Sequence, residues 1–188
     1  GNRYLNMKIA IVGTHFATKC LAPYADPDWH IWACSPRNGE GELPRHDAWF
    51  ELHTPELLAK QQEYQAWVFS QPRVYLQQAR LEAPGSITYP KEEMVAEFGP
   101  YFFTSSLSWM FALAISLKPR AIGIWGVETV QAEEYHFQRP SHHHFIQTAR
   151  DRGIEVVAAP TSNILMPPKP YGFDPYPPSG SVDVIPGY

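Results

Sequence analysis

A long, almost wholly apolar helix followed closely by a short apolar strand constrains this fold more than any other feature of the chain. Residues 107–117 are apolar nearly all round the predicted helix, Pro119 stops it, and residues 121–125 form a short run that ends at Gly126. A helix that is apolar on every side must be buried between other layers. A short apolar run that ends in glycine is typical of a buried parallel strand. Together they predict an α/β domain.

Five further segments have strand character and predict, with residues 121–125, a sheet of about six strands. They are residues 8–12, 30–34, 49–53, 73–77 and 154–159. Helices are predicted between them at residues 55–67, at residues 91–98 and from about Pro140 to Gly153, where prolines and a glycine mark helix ends. Strands that alternate with helices predict a mostly parallel sheet in a single three-layer α/β domain, which we place at residues 7–165.

Residues 166–188 predict an extended, proline-rich tail, because closely spaced prolines cannot continue a helix or a sheet. Its aromatic residues suit docking against the same molecule or a second copy, which leaves a homo-oligomer contact open. Residues 1–6 precede a natural-looking start at Met7 and carry no weight in the fold prediction.

Bulk properties narrow the classes of function. The formal charge of the 188-residue chain is -4, so nucleic acid is not indicated as a partner. No apolar run approaches a membrane span and no signal peptide is visible, so we expect a soluble, cytoplasmic protein. The two cysteines, Cys20 and Cys34, are expected to be free thiols.

Polar residues that follow the first two predicted strands are candidates for binding a nucleotide or another anion. Gly13, Thr14 and Thr18 lie in the first strand-to-helix turn, and Arg37 and Asn38 follow the second strand. A helix N-terminus favours anions through its free amides. The turn lacks both the dinucleotide-binding glycine pattern and the Walker A pattern, so neither a dinucleotide nor ATP is favoured.

A second group of polar residues flanks the apolar helix and the strand after it. Thr104, Ser105 and Ser106 can cap the helix or contact a ligand, and both interpretations stay open. Glu128 opens the polar loop after residues 121–125, and Arg139 suits a phosphate because its planar guanidinium donates in a fork.

Three consecutive histidines at the start of the last helix are candidates for a catalytic base. Helical spacing puts His142 on the apolar side of the helix and leaves His143 and His144 freer. Adjacent helical residues point about 100° apart, so all three cannot bind one ion, and we predict no metal site. A solvated trio at a helix start is the alternative.

The order of these motifs resembles a known group of proteins. The segment T-S-S-L-S-W-M-F-A-L-A-I-S-L at 104–117, then I-G-I-W-G-V-E at 122–128, then a Tyr-x-Phe loop, a histidine and a final helix, strand and Pro-x-Ser are similar to the Rossmann-like sialyltransferases of bacterial surface glycan synthesis. They equally resemble motility-accessory and hydroxymethylpterin-pyrophosphokinase-like proteins, and the general pattern is also that of phage-encoded proteins.

The resemblance to the sialyltransferases implies a Rossmann-like domain that binds a cytidine nucleotide. Carried over by position, it assigns the nucleotide site to Gly13, Thr14, Asn38, Thr104 and Ser105. It assigns Tyr135 to the phosphate and one of the histidines at 142–144 to the base.

We therefore predict a nucleotide-dependent transferase, a glycosyltransferase with a nucleotide-sugar donor, a histidine base and no required metal. Two alternatives stay open. One is a nucleotide-binding or nucleoside-binding protein without catalysis, for sequestering or sensing. The other is a nucleotide phosphotransferase or hydrolase.

Overall fold

Seven parallel strands form one sheet in the computed structural model, which describes residues 5–129, 137–168 and 170–173. The strands within these ranges are β1 (Lys8–Val12), β2 (Trp29–Cys34), β3 (Ala48–Glu51), β4 (Val74–Leu76), β5 (Ser86–Thr88), β6 (Ala121–Trp125) and β7 (Glu155–Ala158). Their order in the sheet is β5-β4-β3-β2-β1-β6-β7, and every neighbouring pair is parallel.

Six α-helices and one short 3₁₀-helix connect the strands in the described residues. The α-helices are α1 (Phe16–Lys19), α2 (Pro55–Ala59), α3 (Gln62–Phe69), α4 (Lys91–Phe98), α5 (Ser106–Ser116) and α6 (Arg139–Asp151), and the 3₁₀-helix is Pro36–Asn38. The expectation of an α/β fold with a mostly parallel sheet is confirmed.

The sheet has one strand more than the sequence predicts. The strand β5 is only three residues long, lies in a polar, proline-containing segment and has no continuous apolar run. It forms by pairing with β4 at the sheet edge, where Ile87 lies beside Tyr75. The helix predicted at 55–67 is two helices, because the chain leaves helical geometry at Gln61.

Helices cover both faces of the sheet, and each face has its own apolar core. In β1, Ile9 and Ile11 pack into one core and Ala10 and Val12 into the other, as the alternation of side chains along a strand requires. The first core receives side chains from α4, α5 and α6, and the second from α2 and α3. This is the predicted three-layer arrangement. The middle of α5 is buried on all sides, as its composition predicts.

The chain runs from β1 outwards to β5 on one side and then returns to the other side of β1 to form β6 and β7. The carboxyl ends of β1 and β6 therefore border a topological switch point, where ligands of open α/β sheets bind.

Two sequence predictions concern the C-terminal part of the chain. The domain boundary at residue 165 and the extended tail stay predictions, because most of the tail lies outside the described ranges.

In the part of the chain that the structure describes, no helix is both long and apolar enough to cross a membrane.

Candidate functional site

The loops that leave β1 and β6 touch at two glycines. The amide of Gly13 donates to the carbonyl oxygen of Trp125 over 2.8 Å, and the amide of His15 donates to that of Gly126 over 2.9 Å. A Cβ atom on Gly13 would lie 2.4 Å from the Gly126 oxygen, and Gly126 itself has a φ of 70°. Glycine at both positions is what lets the two loops approach this closely.

Thr18 and Glu128 connect the same loops through hydrogen bonds. The Thr18 hydroxyl accepts a hydrogen bond from the Gly126 amide (2.7 Å) and donates to Oε1 of Glu128 (2.8 Å). The other oxygen of Glu128 accepts from the Ser162 hydroxyl (3.1 Å) and from the Asn163 amide (3.0 Å). These contacts hold the loops after β1, β6 and β7 together.

Asn38 makes a similar connection from the loop after β2. Its side-chain amide donates to the Gly13 carbonyl oxygen over 2.8 Å, and its Oδ1 accepts from Lys19 Nζ over 3.2 Å. Asn38 is buried, whereas the neighbouring Arg37 is exposed. Among the described residues, Arg37 has no hydrogen bond or ion pair.

A cleft of about 490 Å³, lined by both polar and apolar residues, opens beside these contacts. Its walls come from the carboxyl ends of β1, β2, β3 and β6 and from the start of α5. Seven of the residues that the sequence predicts for the site line it: Gly13, Thr14, Arg37, Ser105, Ser106, Glu128 and His142. Six do not line it: Thr18, Asn38, Thr104, Arg139, His143 and His144. Tyr135 lies outside the described residues.

The start of α5 is capped by its own residues. The Ser105 hydroxyl accepts from the Ser108 amide (3.4 Å), and the Ser108 hydroxyl accepts from the Ser105 amide (3.1 Å), which is a capping box. Capping therefore accounts for the Ser105 hydroxyl, and Ser105 and Ser106 both face the cleft as well. Thr104 is exposed and lies away from the cleft lining.

His142, in the first turns of α6, is the most unusual group in the cleft wall. Its side chain is 1% exposed, and neither ring nitrogen has a hydrogen-bond partner among the described residues. Burial, with smaller effects of His143 and Arg139, lowers its pKa from 6.5 to about 3, so the ring is neutral. A neutral imidazole has one N–H donor and one lone pair. Buried polar atoms are normally paired, so the two ring nitrogens of His142 are an exception among the described side chains of the cleft wall.

The other two histidines of the trio are engaged elsewhere. His143 Nε2 lies 3.1 Å from the carbonyl oxygen of Ile164, which makes that nitrogen the donor. The ring of His144 stacks on Phe102 with 4.0 Å between the centroids. Burial lowers the pKa of both rings. The structure thus brings His142 to the cleft, although its neighbours are the more exposed residues.

Arg139 is buried and bonds to protein oxygens. Its guanidinium donates to the Thr129 hydroxyl (2.7 Å) and to the carbonyl oxygens of Asn163 (2.8 Å) and Met166 (2.6 Å). These hydrogen bonds connect the segment after β7 to the N-terminus of α6. Within the described residues, Arg37 is the arginine that lines the cleft, and Arg139 does not line it.

Sequence reasoning missed several cleft residues, among them two neighbouring pairs. His15 and Phe16 stack at the rim with 5.2 Å between the ring centroids, and Phe16 is 78% exposed. Glu51 and His53 lie at and just after the end of β3 and also line the cleft. The signal for the second pair was a Glu-x-His pattern at a strand end, but the predicted strand ran through it to residue 53. No group of three or more potential metal ligands occurs in the described part of the chain.

Comparison with solved structures finds the sialyltransferase CstII from Campylobacter jejuni. Its complex with cytidine-5′-monophosphate has a TM-score of 0.53 at 15% identity, over 84% of this chain and 82% of that chain. Its complex with CMP-3FNeuAc has a TM-score of 0.52 at 16% identity, over 83% and 82%. The chain shares the fold of these sialyltransferases.

A complex of the same enzyme with a trisaccharide acceptor and CMP has a TM-score of 0.51 at 15% identity, over 84% and 83%. No protein-family model matches the chain. No curated protein sequence matches it either. The expected sialyltransferase-like fold is confirmed, whereas the motility-accessory, pyrophosphokinase-like and phage resemblances stay predictions.

Proposed function

We propose that this protein is a glycosyltransferase that transfers a sugar from a nucleotide-sugar donor, with a cytidine nucleotide as the first candidate for the leaving group. The observation that carries the proposal is the cleft at the switch point of the sheet, whose wall contains the buried His142 with no hydrogen-bond partner among the described residues. Solved proteins of the same fold are complexes with CMP and with CMP-3FNeuAc, which supports the choice of nucleotide.

The donor phosphate fits between the first turn and α5. Gly13 and Thr14 form one wall, Ser105 and Ser106 the other, and Arg37 supplies an exposed positive charge. The first amides of α5 and the positive end of its dipole favour an anion at this place. The neutral ring of His142 would donate one hydrogen bond to a phosphate or sugar oxygen without adding charge, which requires the cleft wall to open at this side chain, because both ring nitrogens are buried.

The proposed reaction is a direct displacement. An acceptor hydroxyl oxygen forms a bond to the anomeric carbon while the bond from that carbon to the donor phosphate breaks. The nucleotide leaves with the electron pair, and a histidine accepts the hydroxyl proton. Arg37 and the α5 amides stabilise the charge that develops on the leaving phosphate. Three histidines in the described residues line the cleft: His15, His53 and His142.

A thermal-shift screen against nucleotides and nucleotide sugars, followed by a turnover assay on those that bind, tests the proposal. A ligand present at 100 times its dissociation constant adds about 2.7 kcal/mol to the free energy of unfolding. We expect a cytidine nucleotide to stabilise the protein and the corresponding nucleotide sugar to be consumed when a saccharide acceptor is present.

The other outcomes distinguish the remaining functions. Nucleotide binding without turnover of any donor would indicate a sequestering or sensing protein. Magnesium-dependent release of phosphate from a nucleotide would indicate a phosphotransferase or hydrolase. If no nucleotide stabilises the protein, the proposal is wrong.

A further inference from the structure

A carboxylate and an imidazole form a connected pair where β3 ends at the cleft. Oε1 of Glu51 lies 2.5 Å from His53 Nδ1 and also accepts the His53 backbone amide over 3.1 Å. Oε2 accepts the hydroxyl of Tyr64 over 2.8 Å, and that hydroxyl accepts the indole N–H of Trp49 over 3.1 Å. Glu51 is therefore fixed from both sides.

The two members of the pair have opposite exposure. The Glu51 side chain is 2% exposed, whereas the His53 side chain is 56% exposed. A carboxylate that accepts from Nδ1 fixes the tautomer of the ring and leaves the Nε2 lone pair free to accept a proton. An imidazole that is more than half exposed gains little stability from a carboxylate partner, and the buried Glu51 carboxylate is already paired with the Tyr64 hydroxyl and the His53 amide. The arrangement suits orientation of the ring better than it suits stabilisation of the fold.

We propose that His53 is the catalytic base of this transferase, that Glu51 is the residue that positions it, and that a saccharide acceptor lies on the β3–β5 side of His53. This inference rests on the proposed function and deepens it by assigning the proton acceptor and the acceptor side.

The position of His53 between two spaces supports this assignment. His53 and Glu51 line the 490 Å³ cleft and also an adjoining groove of about 260 Å³, whose wall includes Leu76 and Gln78. Gln78 also lines a third cavity of about 380 Å³, whose wall includes Trp109. Exposed amides beside apolar and aromatic surfaces suit the hydroxyls and the apolar faces of a sugar ring. A donor in the cleft and an acceptor in this groove would meet at His53.

The proton balance of the step is simple. The acceptor oxygen forms its bond to the anomeric carbon, the bond from that carbon to the phosphate oxygen breaks, and the nucleotide keeps those electrons. The hydroxyl proton passes to Nε2 of His53, and the resulting imidazolium is stabilised by the Glu51 carboxylate at Nδ1. No other reactant is needed.

His142 and His53 thus have different tasks. The ring of His142 is buried and has no hydrogen-bond partner among the described residues, and burial lowers its pKa, which makes it a poor proton acceptor. His53 has the exposed nitrogen and the carboxylate partner.

The test compares His53→Gln with the wild-type protein in transfer assays and in nucleotide-binding titrations. We expect kcat to fall about 10²-fold to 10⁴-fold, the range for loss of a general base, while the Kd for CMP changes less than about twofold. Added imidazole is expected to restore part of the activity of His53→Ala. The matched control is His46→Gln: this ring contacts Gln71 (2.8 Å) outside the cleft, and kcat should stay unchanged.

Glu51→Gln tests the positioning role. We expect kcat to fall with the acceptor KM unchanged, and the double variant Glu51→Gln/His53→Gln to be no slower than His53→Gln alone, since Glu51 acts through His53. A purely structural Glu51 would instead add its own loss in the double variant. If Glu51→Gln does not fold, the His53 variants decide the matter alone. Gln78→Ala should raise the acceptor KM several-fold, and an unchanged KM would overturn the acceptor placement.

The two proposals fail in different experiments. If the wild-type protein turns over no nucleotide sugar, the proposed function fails, and the assignment of a base fails with it. If the wild-type protein is active and His53→Gln is equally active, only the assignment of His53 is overturned.

Discussion

Replacing Thr18 by valine removes the hydroxyl that joins the two loops under the cleft and keeps nearly the same shape. The side chain is 1% exposed, and its Oγ1 accepts from the Gly126 amide and donates to Glu128. Valine leaves the Gly126 amide without an acceptor in a buried position and removes one of the hydrogen bonds of the Glu128 carboxylate. The variant should therefore unfold more easily than the wild-type protein.

The magnitude follows from the two contacts. An unsatisfied buried amide costs about 1–3 kcal/mol. The bond to Glu128 contributes about 1 kcal/mol here, since its other oxygen keeps its contacts with Ser162 and Asn163. The sum is about 3 kcal/mol, which lowers Tm by about 6–12 °C for a chain of this length.

Urea denaturation followed by tryptophan fluorescence measures this loss, because the chain has 6 tryptophans. Thr161→Val is the matched control: Thr161 is exposed, and its variant should stay within about 0.5 kcal/mol of the wild-type protein. A loss below about 0.5 kcal/mol for Thr18→Val would show that the hydroxyl does not hold the loops together.

Three further predictions concern the same region. Gly13→Ala should lower the free energy of unfolding by about 1–3 kcal/mol, because its Cβ would lie 2.4 Å from the Gly126 oxygen; an unchanged urea midpoint would contradict the close contact. The pKa of His142 is lowered from 6.5 to about 3, so the stability it contributes is complete above its unfolded pKa and is lost as the pH falls below 6.5. Between pH 7 and pH 5 the free energy of unfolding should fall by about 2 kcal/mol more in the wild-type protein than in His142→Leu. Urea denaturation at both pH values measures this difference, and an equal pH dependence of the two proteins would refute it. A chromogenic disulfide reagent should modify the exposed Cys20 quickly and the buried Cys34 only in urea. Burial, and to a smaller extent the charge of Glu51, raises the pKa of Cys34 to about 12. Equal modification rates of the two thiols in the native protein would contradict this.

Much of the fold could be predicted because the strands at the centre of the sheet are continuously apolar. The predicted bounds of β1 and β6 match the structure, since both are buried on two faces and end at glycines. The strand β5 could not be found in the same way. Its three residues are only partly buried, and their strand geometry depends on pairing with β4, which is set by tertiary contacts.

The lining of the cleft could be predicted in part, and the contacts of individual side chains less well. Gly13, Arg37 and Ser106 line the cleft because they follow strands or start a helix at the carboxyl edge of the sheet. The partners of Arg139 come from segments that are distant in sequence, so no local pattern could show that its guanidinium is already bonded.

The histidines show the same limit. Helical spacing correctly puts His142 on the buried side of α6, but spacing alone does not show that the cleft reaches that side. The pair of Glu51 and His53 has a visible sequence pattern, but the sequence does not show that Tyr64 of α3 donates a hydrogen bond to the Glu51 carboxylate.

The most direct test of a nucleotide in this cleft is a calorimetric titration of CMP into the wild-type protein and into His142→Leu. Leucine removes two ring nitrogens that have no partner among the described residues, so the fold should keep its stability near neutral pH. We predict that CMP binds the wild-type protein at a single site and binds His142→Leu at least about tenfold more weakly, the equivalent of about 1.4 kcal/mol. If CMP does not bind the wild-type protein, or binds both proteins equally well, the nucleotide does not occupy the cleft beside His142.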